Sequence, residues 1–265
     1  MKIKDIITYL ETQGDWVDRE NTRDHVLVGE IDYDVNYVIV CWVATLDVIH
    51  KAIEKQCHFI ISHENPFYMS STSVPTTLMK SQQEKLSLCR QHQITIYRCH
   101  DLWDLFPQYG VRDSWAKLLN IPFQESKSKS FIRISKEIDM DVKSLSKHII
   151  QRIEPFHEFG VVIIGDLHKK VHHLGIGTGA CTDIIEMYNE GADVCLVTDD
   201  GINNWVYTQW AMDKNLPLIV VNHLTSEAAG IKELSCYLSK QFKEIFFEYI
   251  YNDYGIYHIE KHVKF

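Results

Sequence analysis

The chain has 265 residues, which at roughly 150 residues per domain makes one large domain or two modest ones. Apolar residues make up 45% and charged residues 24%, the balance of a globular protein rather than of a disordered tail or a fibrous repeat. The 27 basic residues against 36 acidic ones leave a net charge of −9, and no basic run stands out, so a broad nucleic-acid-binding face is not expected.

The longest apolar run, residues 37–46 (YVIVCWVATL), is far short of the roughly 18 to 20 residues that span a bilayer. The opening MKIKDIITYLETQG mixes charge with apolar residues and lacks the apolar core of a secretory signal, so a cytoplasmic address is expected and no membrane partner. Seven cysteines without a CxxC pair suit reduced, buried thiols better than a disulfide framework or a thiolate zinc site. Fourteen histidines are the compositional oddity.

In chain order, Ile3, Ile6, Ile7 and Leu10 fall at helical spacing and predict an amphipathic helix over 2–12. An apolar, β-branched strand over 37–43, a helix over 47–55 and a strand over 58–62 (HFIIS) then read as one βαβ unit. A helix over 77–92 leads into a strand over 94–98 (ITIYR), which ends in the polar cluster CHDLWD. The polar stretch 124–130 (QESKSKS) marks a lobe boundary. Beyond it the pattern gives a helix over 142–154, strands over 161–164 and 172–176, a helix over 182–190 and a strand over 193–198. A helix over 205–214, a buried strand over 218–221 (LIVV), a helix over 226–242 and a closing strand over 246–250 complete the chain. Alternating strands and helices predict an α/β fold with mainly parallel or mixed sheets.

Three clusters place potential metal ligands where apolar strands stop, the position at which open α/β sheets build their sites. His63 and Glu64 follow the strand FIIS. His100 and Asp104 follow ITIYR, and His223 and Glu227 follow LIVV; in each pair an acid stands four residues beyond a histidine, on one helical face. Each pair alone is ordinary turn or surface chemistry, but the echo brings three imidazoles and three carboxylates to strand termini that could converge. Five or six nitrogen and oxygen donors suit two divalent ions rather than one zinc, and the donor types allow zinc, manganese or iron. A fourth cluster, the glycine-rich run 175–180 (GIGTGA) with Asp199 and Asp200 downstream, has GxGxG rather than the dinucleotide spacing GxGxxG. It reads first as a tight turn presenting backbone amides, and second as a nucleotide-cofactor loop. The remaining histidines, including His172 and His173 in a strand pattern, read as packing or solvated residues.

Taken together, VIVCWVATLDVIHKAIEKQCHFIISHENPFY, RCHDLWD, GIGTGACTDIIEMYNEGADVCLVTDD and VVNHLTSEAAGIKEL resemble the NGG-interacting-factor-three-like dinuclear metal centre proteins, also known as type-two GTP cyclohydrolase I homologues. The resemblance implies two α/β lobes with a dinuclear metal site in the cleft between them, residues 1–125 with 215–265 forming the first lobe and 126–214 the second. It further implies that His63, Glu64, Asp104, His223 and Glu227 bind the metals with His100 beside them, and that the chain assembles as a homohexamer of three dimers. Glu64 and Asn65 stand where many members carry a second histidine followed by proline, and residues 203–205 lack a histidine that members often carry.

The expected function is therefore a metal-dependent hydrolase acting on a small-molecule or nucleotide-like substrate through a metal-bridging hydroxide. Asp104 or Glu227 is the expected bridging carboxylate, and His100 the general acid/base or orienting residue. The alternative is a non-catalytic metal-binding or scaffold protein that acts as an oligomeric ring.

Overall fold

The computed structural model describes residues 1–68, 75–127, 129–202 and 204–257. The first third of the chain holds α1 (Ile3–Glu11), β1 (His25–Val28), β2 (Tyr37–Val43), α2 (Leu46–Glu54), β3 (Phe59–Glu64), α3 (Thr76–Gln91) and β4 (Thr95–Arg98). The middle follows with α4 (Asp101–Asp104), α5 (Val111–Leu119), β5 (Arg133–Ile134), β6 (Met140–Asp141), α6 (Val142–Ile153), β7 (Val162–Ile164), β8 (Lys170–Val171) and β9 (Leu174–Ile176). The last third holds α7 (Ile184–Asn189), β10 (Val194–Thr198), α8 (Trp205–Asp213), β11 (Leu218–Val221), α9 (His223–Gln241) and β12 (Phe246–Ile250). Polar side chains set several helix starts: Thr45 accepts the amide of Val48 at α2, Asp141 that of Ser144 at α6, and Asp183 those of Ile185 and Glu186 at α7.

The chain forms two compact units, residues 1–110 with 230–252 and residues 111–229 with 253–265. In the first unit a five-stranded sheet runs β1-β4-β3-β2-β12. Strands β12, β2, β3 and β4 are mutually parallel, and only β1 is antiparallel. Its central strands are near-continuous Val, Ile and Cys runs because both faces are covered, and Ile39, Cys41, Ile60 and Ile96 share one core cluster with Val48, Ile49 and Ala52 of α2.

In the second unit the sheet order is β5-β9-β10-β11-β7, with β9, β10 and β11 parallel and both edge strands antiparallel. Strand alternation splits β10 between two cores. Val194 and Leu196 pack with Trp115 and Leu119 of α5 and Leu145 and Ile149 of α6. Cys195 and Val197 pack with Ile184 and Met187 of α7 and Ala211 of α8. The fold is therefore mixed α/β, a sheet covered by helices on each face.

The unit boundaries lie away from the polar stretch at 124–130. Residues 111–125 pack with the second unit because the apolar face of α5 shares a core with α6. Residues 215–229 do so because β11 is a central strand between β10 and β7. The pattern missed α5 and β1, and His172 and His173 are not strand residues: they stand between β8 and β9, their amides held by the Asp193 carboxylate at 2.9–3.0 Å. Among the described residues no helix is long and apolar enough to cross a membrane.

Candidate metal centre

In the first unit β3 continues two residues past the expected end, so His63 and Glu64 are strand residues, and each offers a donor atom within 4.8 Å of the other. The parallel register sets Ser62 beside Arg98, which brings His63 level with Cys99. His63 Nδ1 lies 2.9 Å from the Cys99 carbonyl and donates to it, which turns Nε2 the other way. That nitrogen faces Asp104 Oδ1 at 3.4 Å. His100 stacks on His63 with ring centroids 4.5 Å apart and planes within 8°. Its Nδ1 lies 3.0 Å from Asp101 Oδ1 and 3.2 Å from Asp104 Oδ2, and its Nε2 lies 3.4 Å from Glu64 Oε1. His63, His100 and Asp104 are all buried, and each offers a donor atom within 4.8 Å of the others.

The short helix α4 that carries Asp104 is anchored by a residue no sequence motif pointed to. Asp24, buried, accepts the amides of His100 at 2.5 Å and Leu102 at 2.9 Å. Asp101 was legible only as an acid next to a histidine. Arg98 was unremarked: its Nη2 donates to Glu64 Oε2 at 2.7 Å and its Nε to the His63 carbonyl at 3.2 Å. Arg98 thus offsets the negative charge that Glu64 brings to the cluster.

Burial works against charge in this cluster, and the partners overcome it. Burial alone lowers the pKa of His100, but Asp104, Asp101 and Glu64 push it up to about 10. Burial alone raises that of Glu64, but His100, His63 and Arg98 hold it well below the usual carboxylate range. Asp101 is likewise held low, His100 and Arg23 outweighing its burial.

In the second unit α9 starts three residues earlier than the pattern indicated, and His223 and Glu227 lie on its first turns. His223 Nε2 is 3.1 Å from Glu227 Oε1, and its Nδ1 is 3.2 Å from Asp200 Oδ2. Asp199 accepts the amide of His223 at 2.8 Å and the side chain of Asn222 at 2.8 Å, while buried Glu158 accepts the amide of Asn222 at 3.0 Å. Burial raises the pKa of Glu158. The pair Asp199 and Asp200 therefore serves α9 and His223, a role that the nucleotide-loop reading of GIGTGA had not assigned.

The glycine-rich turn closes on the same two side chains. Gly179 has φ +51°, and a Cβ there would overlap Glu227 Oε1 and stand 2.6 Å from His223 Nε2. Its amide donates to Ser226 Oγ at 3.1 Å, and its carbonyl accepts from Thr198 Oγ1 at 2.5 Å. The backbone approaches this closely because residue 179 has no side chain. Of the residues singled out from sequence, the structure groups His63, Glu64, His100 and Asp104 in the first unit and His223 and Glu227 in the second; Asn203 lies outside the described residues.

Residues 1–253 match the family described as Duf34/NIF3 (NGG1p interacting factor 3). The chain belongs to this family. A GTP cyclohydrolase 1 type 2 homolog of Clostridium acetobutylicum is 22% identical over 243 residues, covering 89% of this chain and 88% of the relative. A Bacillus cereus protein related to NIF3 has a similar crystal structure, with TM-score 0.80 at 15% identity, over 97% of this chain and 99% of that one. A Staphylococcus aureus hypothetical protein superposes with TM-score 0.78 at 20% identity, over 98% of this chain and 99% of that one. At these identities the NIF3 structures establish the fold, and the chemistry rests on the site itself.

Proposed function

We propose that the chain binds two divalent metal ions through His63, Glu64, Asp104, His223 and Glu227 and acts as a metal-dependent hydrolase on a small-molecule substrate. The observation that carries this reading is the buried grouping of His63, His100 and Asp104, each with a donor atom within 4.8 Å of the others. His63 Nδ1 is held by the Cys99 carbonyl and its Nε2 is turned to within 3.4 Å of an oxygen of Asp104, the ring orientation of a metal-ligating histidine. The donor set fits the ions: imidazole nitrogens and carboxylate oxygens, with no cysteine in the groupings found among the described residues, suit zinc, manganese or iron. Gly179 supports the reading in the second unit, since the space a side chain would fill lies against His223 and Glu227.

Divalent ions bound by such donors lower the pKa of water and polarise a substrate oxygen. The protein's own part is to orient and to move protons. Cys99 and Asp200 fix the rings of His63 and His223. Asp24 and Asp199 fix the backbone from which the i,i+4 acids project. His100, which meets Asp101 and Asp104 through Nδ1 and Glu64 through Nε2, is the residue placed to take a proton from the attacking water and deliver it to a leaving group.

Metal analysis of protein purified without added salts tests the assignment. The wild type is expected to carry divalent metal, and Asp104→Ala and Glu227→Ala are each expected to lose it, because each removes an anionic donor. Full metal content in both variants would overturn the ligand assignment. Turnover of a generic phosphoester by the metal-loaded protein supports the hydrolase; full metal content with no turnover of any ester favours the scaffold.

A further inference from the structure

His100 has one proton on Nδ1 and two carboxylates within reach of it, Asp101 Oδ1 at 3.0 Å and Asp104 Oδ2 at 3.2 Å. Which of them holds the ring decides what Nε2 can do, because a neutral imidazole that keeps its proton on one nitrogen has the other as its acceptor. Asp104 is a proposed metal ligand, and a cation that takes up its oxygens takes it from the ring. Asp101 belongs to neither metal-ligand grouping found among the described residues, so it is the partner that stays.

The Asp101 carboxylate is also not used to cap its own helix. An acid in the first turn ordinarily serves the free amides there, but at α4 the amides of His100 and Leu102 go to buried Asp24. Asp101 reaches outward instead. Its Oδ2 accepts the amide of Arg23 at 2.7 Å and the hydroxyl of Thr22 at 3.2 Å, and Arg23 Nη1 donates to Oδ1 at 3.4 Å. The short segment 22–24 thus fixes both the carboxylate, through Thr22 and Arg23, and the backbone that carries it, through Asp24. The other two imidazoles of the clusters are held at Nδ1 in the same way, His63 by the Cys99 carbonyl and His223 by Asp200. Asp101 gives His100 the equivalent partner, with Nε2 turned to within 3.4 Å of Glu64 Oε1.

We infer that Asp101 is the positioning residue of His100: it keeps the proton on Nδ1, aims Nε2 at the ligand cluster and balances the charge when Nε2 takes up a second proton. Its consequence for catalysis rests on the reading of His100 as the proton-transfer residue. In that step Nε2 accepts a proton from water as the water oxygen bonds to the electrophilic centre, and returns it to the leaving oxygen as the old bond breaks. The Nδ1 proton stays on the ring throughout, and the Asp101 carboxylate stays ionised.

Proton NMR of the metal-free protein with nitrogen-15-labelled histidine tests the geometry without any turnover. An Nδ1 proton held by a carboxylate resonates far downfield; that of His100 is identified by its loss in His100→Gln and assigned to Nδ1 by its coupling pattern to the ring protons. The resonance is expected to persist in Asp104→Asn and to vanish or move upfield in Asp101→Asn, with circular dichroism melts confirming that each variant folds. No such resonance in the wild type, its persistence unmoved in Asp101→Asn, or its loss in Asp104→Asn would each overturn the proposal. In the zinc-loaded protein, Asp101→Asn is expected to lower kcat for a phosphoester about 100-fold, with KM and metal content near the wild-type values; unchanged kcat would overturn the positioning role. The expected resonances with no ester turned over by any variant would uphold Asp101 as the partner of His100 and remove the hydrolase reading alone.

Discussion

His100 and His223 are the same device built twice with different reach. Each imidazole stands two residues after the end of a buried parallel strand, β4 in one case and β11 in the other, with an acid four residues on. The aspartate, the shorter acid, meets His100 at Nδ1 at 3.2 Å, whereas the longer Glu227 meets His223 at Nε2 at 3.1 Å. Around His100 the surplus of carboxylates sets a pH dependence whose sign is fixed. The pKa of His100 in the folded, metal-free protein is about 10, above the ordinary histidine value. Its protonation therefore stabilises that state fully below pH 6.5, and the contribution is lost as pH rises through about 10. A divalent ion that takes up Asp104 removes the reason for the raised pKa, so metal binding near pH 7.5 is expected to expel a proton. Titration calorimetry in buffers of different ionisation enthalpy measures this directly: proton release with affinity rising between pH 6 and 8 is expected, and binding with no proton release would contradict it.

At the scale of elements, the turn between β9 and α7 is the one whose backbone conformation is tied most directly to the site. Gly179 combines a left-handed φ with contact distances that no side chain tolerates. Gly179→Ala is expected to cost about 1–3 kcal/mol of stability from the left-handed backbone and the overlap combined. It is also expected to lower metal affinity by displacing His223 and Glu227. A denaturant melt of the metal-free variant reads the first effect, and metal titration of the folded variant reads the second; wild-type values in both would show that the turn yields without consequence. The helix that follows illustrates why the glycine spacing misleads as a nucleotide signature. Asp183 already satisfies the first free amides of α7, so they are not presented to a phosphate.

For the whole molecule, each unit has its own covered sheet, and the polar clusters gather at the carboxyl ends of its parallel strands. Packing buried acids such as Asp24, Asp104, Glu158 and Glu227 into such cores is costly unless cations or amides offset the charge. Asp24 and Glu158 are offset by backbone amides. If Asp104 and Glu227 are offset by metal, chelation must weaken the fold. Adding a strong chelator to the metal-loaded protein is expected to lower its melting temperature, by the equivalent of roughly 4 kcal/mol when free metal had been about 1,000 times the dissociation constant. An unchanged melting curve on complete metal removal would show that the ions contribute nothing to the folded state.

The strands over 37–43 and 218–221 and the helix α8 starting at Trp205 were legible from local pattern alone, because unbroken β-branched runs and helical spacing are properties of neighbouring residues. So were the two His-xxx-acid pairs and the α/β class. What only the tertiary structure decided is which distant residues complete each group. Arg98 reaches Glu64 through the β3-β4 register, Asp24 reaches the amide of His100 across 76 positions, and Asp200 is directed to His223 by the pairing of β10 with β11. The unit boundary moved for the same reason. A polar loop marks where chain is exposed, but the assignment of α5 and β11 depends on the core their apolar faces enter, and that is settled by pairing and packing between segments far apart in sequence.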